Sequence, residues 1–380
     1  MTSAGREAAE TCVLDSAAHA EPRSPTFLVG VALSFLTAHC SPCPQCQTIG
    51  LPVNVLVGIA WSCFTTHCSG YPNRLGASRL ADQVRTCWNG LLKWLFAELE
   101  ITIRAIESDL EVTLLSMGIF VLSSSLGSMA VTVPHLIRSC LLCQLYALPY
   151  ITWICFLSQA RSKEEDRLEK PHRPVPMGLV SERGASIRAL VWAIAYLGIS
   201  ILLGLQKWAV LWILASVYHT WLGGDVHWFT KNFVNLSVGV AAQLGAVWDL
   251  THGSWPVPAQ TFVAGVSVWI GILGNIADFR DEQGDRLVGR KTLPVLYGAR
   301  ARAMVSAMAV GFGCLTVPAL LTLRRGPAQL VFALLLSLWH FVIAWRLWFC
   351  RTNAADKRTY KFHLCLLYCT VLASAALFIG

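Results

Sequence analysis

Six stretches of this chain, residues 112–137, 189–206, 257–277, 303–323, 327–345 and 364–380, contain no Asp, Glu, Lys or Arg. Each approaches the roughly 20 apolar residues that a helix needs to cross the hydrocarbon core of a bilayer. Less sharply bounded runs lie at 139–160, 208–222 and 233–247, the first cut off from its predecessor only by Arg138. Together they predict about nine spans. Backbone groups in lipid must be satisfied within their own segment, so the expected fold is all-α, a multi-pass transmembrane helical bundle. At 55% hydrophobic, 14% charged and mean hydropathy +0.54, the composition excludes an ordinary soluble globule.

The net charge of +8 is not a nucleic-acid signal, because the basic residues sit mainly in short connectors between apolar runs. Arg161, Lys163, Arg167, Lys170, Arg173, Arg183 and Arg188 crowd one connector, and Arg280, Arg286, Arg290, Lys291, Arg300 and Arg302 another. By the positive-inside tendency both face the cytosol, which suits an integral protein of the endoplasmic reticulum membrane. The 14 cysteines are scattered, many in apolar segments where a thiol behaves as a small hydrophobe, and imply no disulfide framework. In "HCSPCPQC", residues 39–46, Cys43 and Cys46 have a metal-like spacing without two well-placed partners; an irregular loop is the plainer reading. Residues 1–23 do not resemble a cleaved signal peptide, and the apolar segments 26–38 and 51–64 are short. Residues 1–90 are therefore read as an N-terminal extension and 91–380 as one transmembrane domain.

The segment "GNIADFRDEQGDRLVGRKTLP" ends an apolar run in acids and follows them with bases. On one helix Asp278, Asp281 and Asp285 would fall within roughly 60° of one another. Carboxylates massed at a membrane boundary are costly unless paired or facing a wet cavity. A magnesium ion, which takes oxygen ligands and bridges carboxylates to substrate phosphates, resolves the conflict. Arg280, Arg286, Arg290 and Lys291 would then donate to phosphate oxygens. The competing reading is a solvated, self-paired polar loop.

A second charged segment, "SQARSKEEDRLEKPHRPVPMG", weighs against that alternative. Ser158, Ser162 and Asp166, with Glu165 at their edge, would cover about 100° of a helix and offer hydroxyl and carboxylate oxygens to a metal. Pro171, Pro174 and Pro176 hold the next residues extended, so that Lys170 and Arg173 project as cations. Two acid stripes with basic tails facing one another across a cavity suit a diphosphate.

At these residues the chain resembles the UbiA superfamily of intramembrane prenyltransferases. That pattern is an NDxxDxxxD motif, a K-P-x-R-P-x-P-x-G stretch, and a DxxDxxxD motif leading into R-x-x-G-x-x-T-L-P; "KPHRPVPMG" and "DFRDEQGDRLVGRKTLPVLYG" match it closely. The resemblance implies about nine helices around a central cavity. It implies that Asp278, Asp281, Asp285 and Asp166 are catalytic metal ligands for Mg2+ and that Lys170, Arg173, Arg286 and Lys291 contact the diphosphate of an isoprenyl substrate. One departure stands out: Ser158, Gln159 and Ser162 occupy positions where the pattern has Asn, Asp and Asp. This is either decay of the first motif or a lower-charge metal site made of Ser158, Ser162, Glu165 and Asp166. The second alternative resembles the fungal membrane-bound terpene cyclases, the beta-trans-bergamotene synthase-like branch.

The resemblance thus implies a cyclase acting on farnesyl diphosphate in terpenoid biosynthesis, with prenyl transfer to an aromatic or other acceptor as the alternative. Both begin with loss of diphosphate. A cation so formed is stabilised by aromatic faces, for which Trp153, Phe156, Tyr196, Trp208, Trp212, Tyr218, Trp221, Trp228 and Phe229 are available, although such residues also gather at lipid headgroups. The connector "HTWLGGDVHWFTKN", with His219, Asp225 and His227, receives no assignment. A transporter would place its charges near the bilayer midplane rather than at helix ends, and a scaffold would need no matched acid and base stripes.

Overall fold

The computed structural model describes residues 74–126, 132–323 and 326–378. The apolar segments 26–38 and 51–64 and the cysteine cluster at 39–46 lie outside the described residues. The chain divides into two units, Met1–Ile101 and Thr102–Gly380. Described residues of the first belong to helix α1 (Arg74–Ile106).

In the second unit a π-helical turn, Glu111–Leu115, leads into α2 (Ser116–Leu126). There follow α3 (Val133–Gln159), the short α4 (Lys163–Glu169), α5 (Glu182–Leu202) and α6 (Gln206–Trp221). A π-helical segment, Phe229–Leu236, opens α7 (Ser237–Thr251). Helix α8 (Val257–Leu273) is extended by one 3-10 turn, by α9 (Ala277–Arg280) and by α10 (Glu282–Leu287). After α11 (Leu293–Tyr297), α12 (Ala299–Leu323) and α13 (Pro327–Phe349) pack along one another. The chain closes with α14 (Asn353–Arg358), a π-helical Thr359–Leu364 and α15 (Cys365–Ala373). Among the described residues six helices are long and apolar enough to cross a membrane, and Glu111–Leu126 is a shorter apolar one. All nine apolar runs are helical over most of their described residues; residues 132, 160, 203–205, 222 and 374 are not.

One boundary differs from the sequence expectation. The first run does not continue to residue 137: α3 already begins at Val133, and Arg138 is an exposed residue inside it. Pro134 sets this start, because a proline in the first helical turn sacrifices no hydrogen bond and has its φ angle already suited to the helix.

The helices are apolar outward and mixed inward, as lipid rather than water requires. Helix α5 exposes Leu190, Ile194 and Ile201 and buries Ala185, Ala189, Tyr196 and Ser200. Small inward residues let backbones approach, and buried hydroxyls find partners: Tyr146 and Tyr196 share a 2.6 Å hydrogen bond between α3 and α5. Away from any acid motif, Arg302 of α12 grips Asp356 of α14 with two bonds of 2.8 and 2.6 Å, both side chains being largely buried. Arg302→Met strands that carboxylate and is expected to lower stability by about 3–5 kcal/mol, read as a fall in the unfolding temperature of detergent-purified protein; an unchanged temperature would refute the assignment.

Candidate active site

The three aspartates of the second motif do not share one continuous helix face. The helix breaks at Asp281, the hinge between α9 and α10. Asp278 and Asp285 converge on the ammonium of Lys231, whose Nζ donates to Asp278 Oδ1 at 2.9 Å and to Asp285 at 3.0 and 3.1 Å. Asn232 donates to the other Asp278 oxygen at 2.7 Å and to Asn275 at 3.0 Å. Asp281 turns instead to Arg280, 3.1 Å away, whose guanidinium also lies 4.0 Å from the ring centre of Tyr360. The break has a physical effect: it divides three mutually repelling carboxylates among Lys231, Arg280 and Arg290.

The first motif is likewise broken. Helix α3 ends at Gln159 and α4 starts at Lys163, so Ser158, Ser162 and Asp166 do not form one stripe. The Ser158 and Ser162 hydroxyls donate to the carbonyls of Cys155 and Ser158, at 3.1 and 2.6 Å. Arg173, almost wholly buried, forks between Asp166 at 3.1 and 3.2 Å and Asp109 at 3.1 Å. Asp109 stands just before the first π-helical turn and also accepts from the Cys155 thiol.

Arg290 joins the two motifs. Its Nη1 donates to Glu165 of the first and, at 3.0 Å, to Asp285 of the second, while Nε and Nη2 reach Asp225 at 3.2 and 2.9 Å. A further tie runs from the Gly284 amide to Glu169 at 3.3 Å. Glycine is needed there, since a Cβ would come within 2.9 Å of Glu165 Cγ and 3.1 Å of Glu169 Cγ.

Burial alone would raise the pKa of Asp109, but Arg173 and Lys170 hold its carboxyl below the usual range. Burial acts in the same way on Asp281, and Arg280 with Lys170 reverses it. Glu169 is pushed upward by burial and by Asp281, which outweigh the Gly284 amide, Lys357 and Lys170. The guanidiniums of Arg173 and Arg290 are held charged by the acids around them, against the pull of burial.

Beside Asp109 and Arg173 lies a cavity of about 250 Å³. Asp109, Ser158, Arg173, His219 and Asn235 supply its polar lining, and Tyr150, Ile151, Ile154, Trp212, Leu236 and Val240 much of the apolar remainder. All three π-helical segments reach it, through Thr113, Asn235 and Tyr360. The wider π turn is a recurrent device at functional sites.

Of the residues singled out in the sequence, Asp166, Glu165, Arg173, Asp278, Asp281 and Asp285 are brought into this network. Lys170 caps α4 and lies close enough to bias Asp109 and Asp281. Arg286 is exposed and pairs with Glu282 at 2.8 Å, and the Lys291 side chain is exposed while its backbone pairs with Val226 and Trp228. Among the aromatic residues considered, Trp212 lines the cavity, while Trp228 and Phe229 line a separate groove. Sequence reasoning missed Asp109, Lys231, Asn232 and Asn235. Asp109 is one isolated acid before an apolar run, and Lys231 and Asn232 end the connector that had no assigned role.

Whether the site suits a divalent cation can be judged from its donors. The carboxylates of Asp109, Glu165, Asp166, Glu169, Asp225, Asp278, Asp281 and Asp285 face six cations, Lys170, Arg173, Lys231, Arg280, Arg290 and Lys357, leaving an excess of two negative charges. The second oxygen of Glu165 is buried without a hydrogen-bond partner. Among the described residues no three acid, histidine or cysteine side chains already form a cage. That is the usual situation for magnesium, which relies on one or two carboxylates, waters and substrate phosphates. The donor set therefore fits.

A membrane helical bundle with acids gathered at the ends of its spans defines a class of intramembrane enzyme, and comparison with known proteins gives the family. The chain belongs to the UbiA prenyltransferase family, which matches residues 119–367. Diterpene cyclase eriG of Hericium erinaceus is 31% identical over 243 residues, covering 64% of this chain and 77% of that protein. Somaliensene A/B synthase of Streptomyces somaliensis is 29% identical over 286 residues, or 73% of this chain and 90% of the other. Polyprenyl transferase eriF of H. erinaceus is 28% identical over 226 residues, covering 59% of this chain and 76% of its own. Among solved structures, a UbiA homolog from Archaeoglobus fulgidus bound to GPP and Mg2+ superposes with a TM-score of 0.52 at 13% identity, covering 72% of this chain and 99% of that one. A digeranylgeranylglyceryl phosphate synthase gives 0.52 at 18% identity, covering 74% and 98%. The fold is thus shared, and the chain is an integral membrane enzyme of the UbiA type, a group that includes both terpene cyclases and prenyltransferases.

Proposed function

We propose that this protein is a magnesium-dependent terpene cyclase that ionises an allylic isoprenyl diphosphate and folds the resulting cation onto its own double bonds. The observation that carries the reading is the cavity, whose lining combines the Asp109–Arg173 pair with Tyr150 and Trp212. Arg173 suits a diphosphate and the rings suit a cation, since a ring quadrupole attracts positive charge without acting as a nucleophile. The diterpene cyclase and the somaliensene synthase among its relatives support the same choice.

Asp278, Asp281 and Asp285, with Asp166, Glu165, Ser158 and Ser162 on the opposing segment, would hold Mg2+. Bound there, the metal supplies Lewis-acid charge to a leaving diphosphate. Lys170, Arg173, Arg286 and Lys291 are the proposed diphosphate contacts, the last two through rotation of their exposed side chains. Arg173 is already poised at the cavity wall, held between two carboxylates. Their charges stabilise the departing oxygens, so that catalysis is largely electrostatic preorganisation. Tyr150 is locked by its hydroxyl on the Gly239 carbonyl at 2.9 Å and stacks on Trp212 with ring centres 5.0 Å apart, a rigid wall for the cation.

Farnesyl diphosphate is the first substrate to test, and geranylgeranyl diphosphate is the comparison suggested by the diterpene cyclase relative. The basic motif connectors support a cytosolic face of the endoplasmic reticulum membrane for the site. Prenyl transfer is the second reading. It is favoured by an apolar groove of about 400 Å³ lined by Trp228, Phe229, Phe233 and Phe312, which meets the site at Asn275 and is large enough for an acceptor.

Microsomes carrying the protein, given farnesyl or geranylgeranyl diphosphate and Mg2+ without acceptor, are expected to yield a hydrocarbon detectable by gas chromatography. Excess EDTA should suppress it by at least about 100-fold, the scale of losing a preorganised electrostatic partner. Diphosphate release that requires an added acceptor would overturn the cyclase reading in favour of transfer.

A further inference from the structure

His219 belongs to the connector that the sequence left without a role, and it lines the central cavity. Its Nδ1 is buried and has no hydrogen-bond partner. A buried imidazole nitrogen without a partner is costly in a finished core, and in a cavity wall it can accept a proton in the tautomer that carries its hydrogen on Nε2. The other polar groups of the wall are committed or poorly basic. Tyr150 donates to Gly239, Gln243 to Ser116 and Ser158 to Cys155, while Asp109 is tied to Arg173. Asn235 also has an unpartnered buried oxygen, but a carboxamide is a very weak base.

The position of His219 is fixed rather than incidental. It lies two turns beyond Trp212 on the same face of α6, about 10 Å along the axis, so the ring wall and the imidazole flank one volume. The connector folds back over it: the Asp225 amide donates to the His219 carbonyl at 3.1 Å, and a Cβ on Gly224 would lie only 2.9 Å from His219 Cα. The next carbonyl, Thr220, accepts from Arg161 at 2.8 Å, tying the end of α6 to the end of α3.

We infer that His219 is the base that ends the cyclisation. This inference rests on the cyclase reading. The imidazole nitrogen takes a proton from the carbon beside the final cationic centre; the C–H electron pair becomes the new π bond, the hydrocarbon leaves neutral, and the imidazolium later returns its proton to water. No electron acceptor is required, and the released diphosphate balances the positive charge.

The test compares wild type with His219→Gln and His219→Phe, both non-basic and differing in polarity. Each is supplied with geranyl, farnesyl and geranylgeranyl diphosphate and Mg2+, and both diphosphate release and the hydrocarbon profile are measured. Both variants are expected to keep diphosphate release within about threefold, because His219 does not act on ionisation. The principal hydrocarbon should fall by at least about tenfold as a share of products, replaced by double-bond isomers or by alcohols from water capture, a conservative figure for losing a general base. An unchanged product ratio in either variant overturns the inference. So does equal loss of release and product in protein that retains the wild-type unfolding temperature. If wild type releases no diphosphate from any of the three substrates, the cyclase reading itself fails, a result distinct from either of these.

Discussion

Asp278→Asn is expected to reduce magnesium-dependent diphosphate release by about 100- to 1000-fold, the usual cost of removing one preorganised electrostatic partner from a water-poor site. Asp278 is almost wholly buried, and its two oxygens are held by different donors, Lys231 at 2.9 Å and Asn232 at 2.7 Å. Asparagine has nearly the same shape and can still accept a hydrogen bond, so the variant should be inserted and folded while lacking the charge that a metal needs. Release per immunodetected molecule and the unfolding temperature in detergent would be measured together. A variant that keeps more than about a tenth of the wild-type rate would remove Asp278 from the metal site.

A structural effect at least as large as that at Arg302 is expected at Arg290. Its guanidinium serves Glu165, Asp225 and Asp285 at once, and its removal leaves three carboxylates around a gap. Arg290→Met should cost about 3–5 kcal/mol of stability, the range for breaking a buried pair by removing one partner. Arg290→Lys should recover little, because a point charge cannot reproduce a planar fork that spans three acids. Adding Mg2+ should raise the unfolding temperature of Arg290→Met more than that of wild type, since a cation then enters an unneutralised cluster. Equal unfolding temperatures for wild type and Arg290→Met would mean that these acids are already solvated by water.

Much of this architecture was legible in the chain. Nine charge-free runs predicted helical spans, and each is helical over most of its described residues. The boundary near residue 138 was misjudged because a charged residue was taken as the end of a span. Arg138 instead sits exposed within α3, and Pro134 marks the start. Both acid motifs were visible as sudden charge after apolar sequence, and they do come together, through Arg290 and the contact of Gly284 with Glu169. Their internal geometry was not legible. A regular 3.6-residue period put each set of acids on one stripe, whereas the chain breaks its helix at residues 160–162 and at Asp281. Mutual repulsion among closely spaced carboxylates disfavours the uniform stripe, and the cations that relieve it come from elsewhere in the chain. Lys231 and Asp109 could not be found by pattern for the same reason: each is a single charge whose partners lie 46 or more residues away.

The sequence by itself determined that this chain lives in a membrane, where its charge is concentrated and that two opposed acid motifs exist. Those properties follow from transfer free energies and helical periods that accumulate locally along the chain. Only the tertiary structure decided which cation neutralises which acid, that Asp109 joins the first motif, and that Trp212 and His219 face one cavity. These depend on distances through space, because Coulombic and hydrogen-bond energies vary steeply over a few ångströms regardless of separation in sequence.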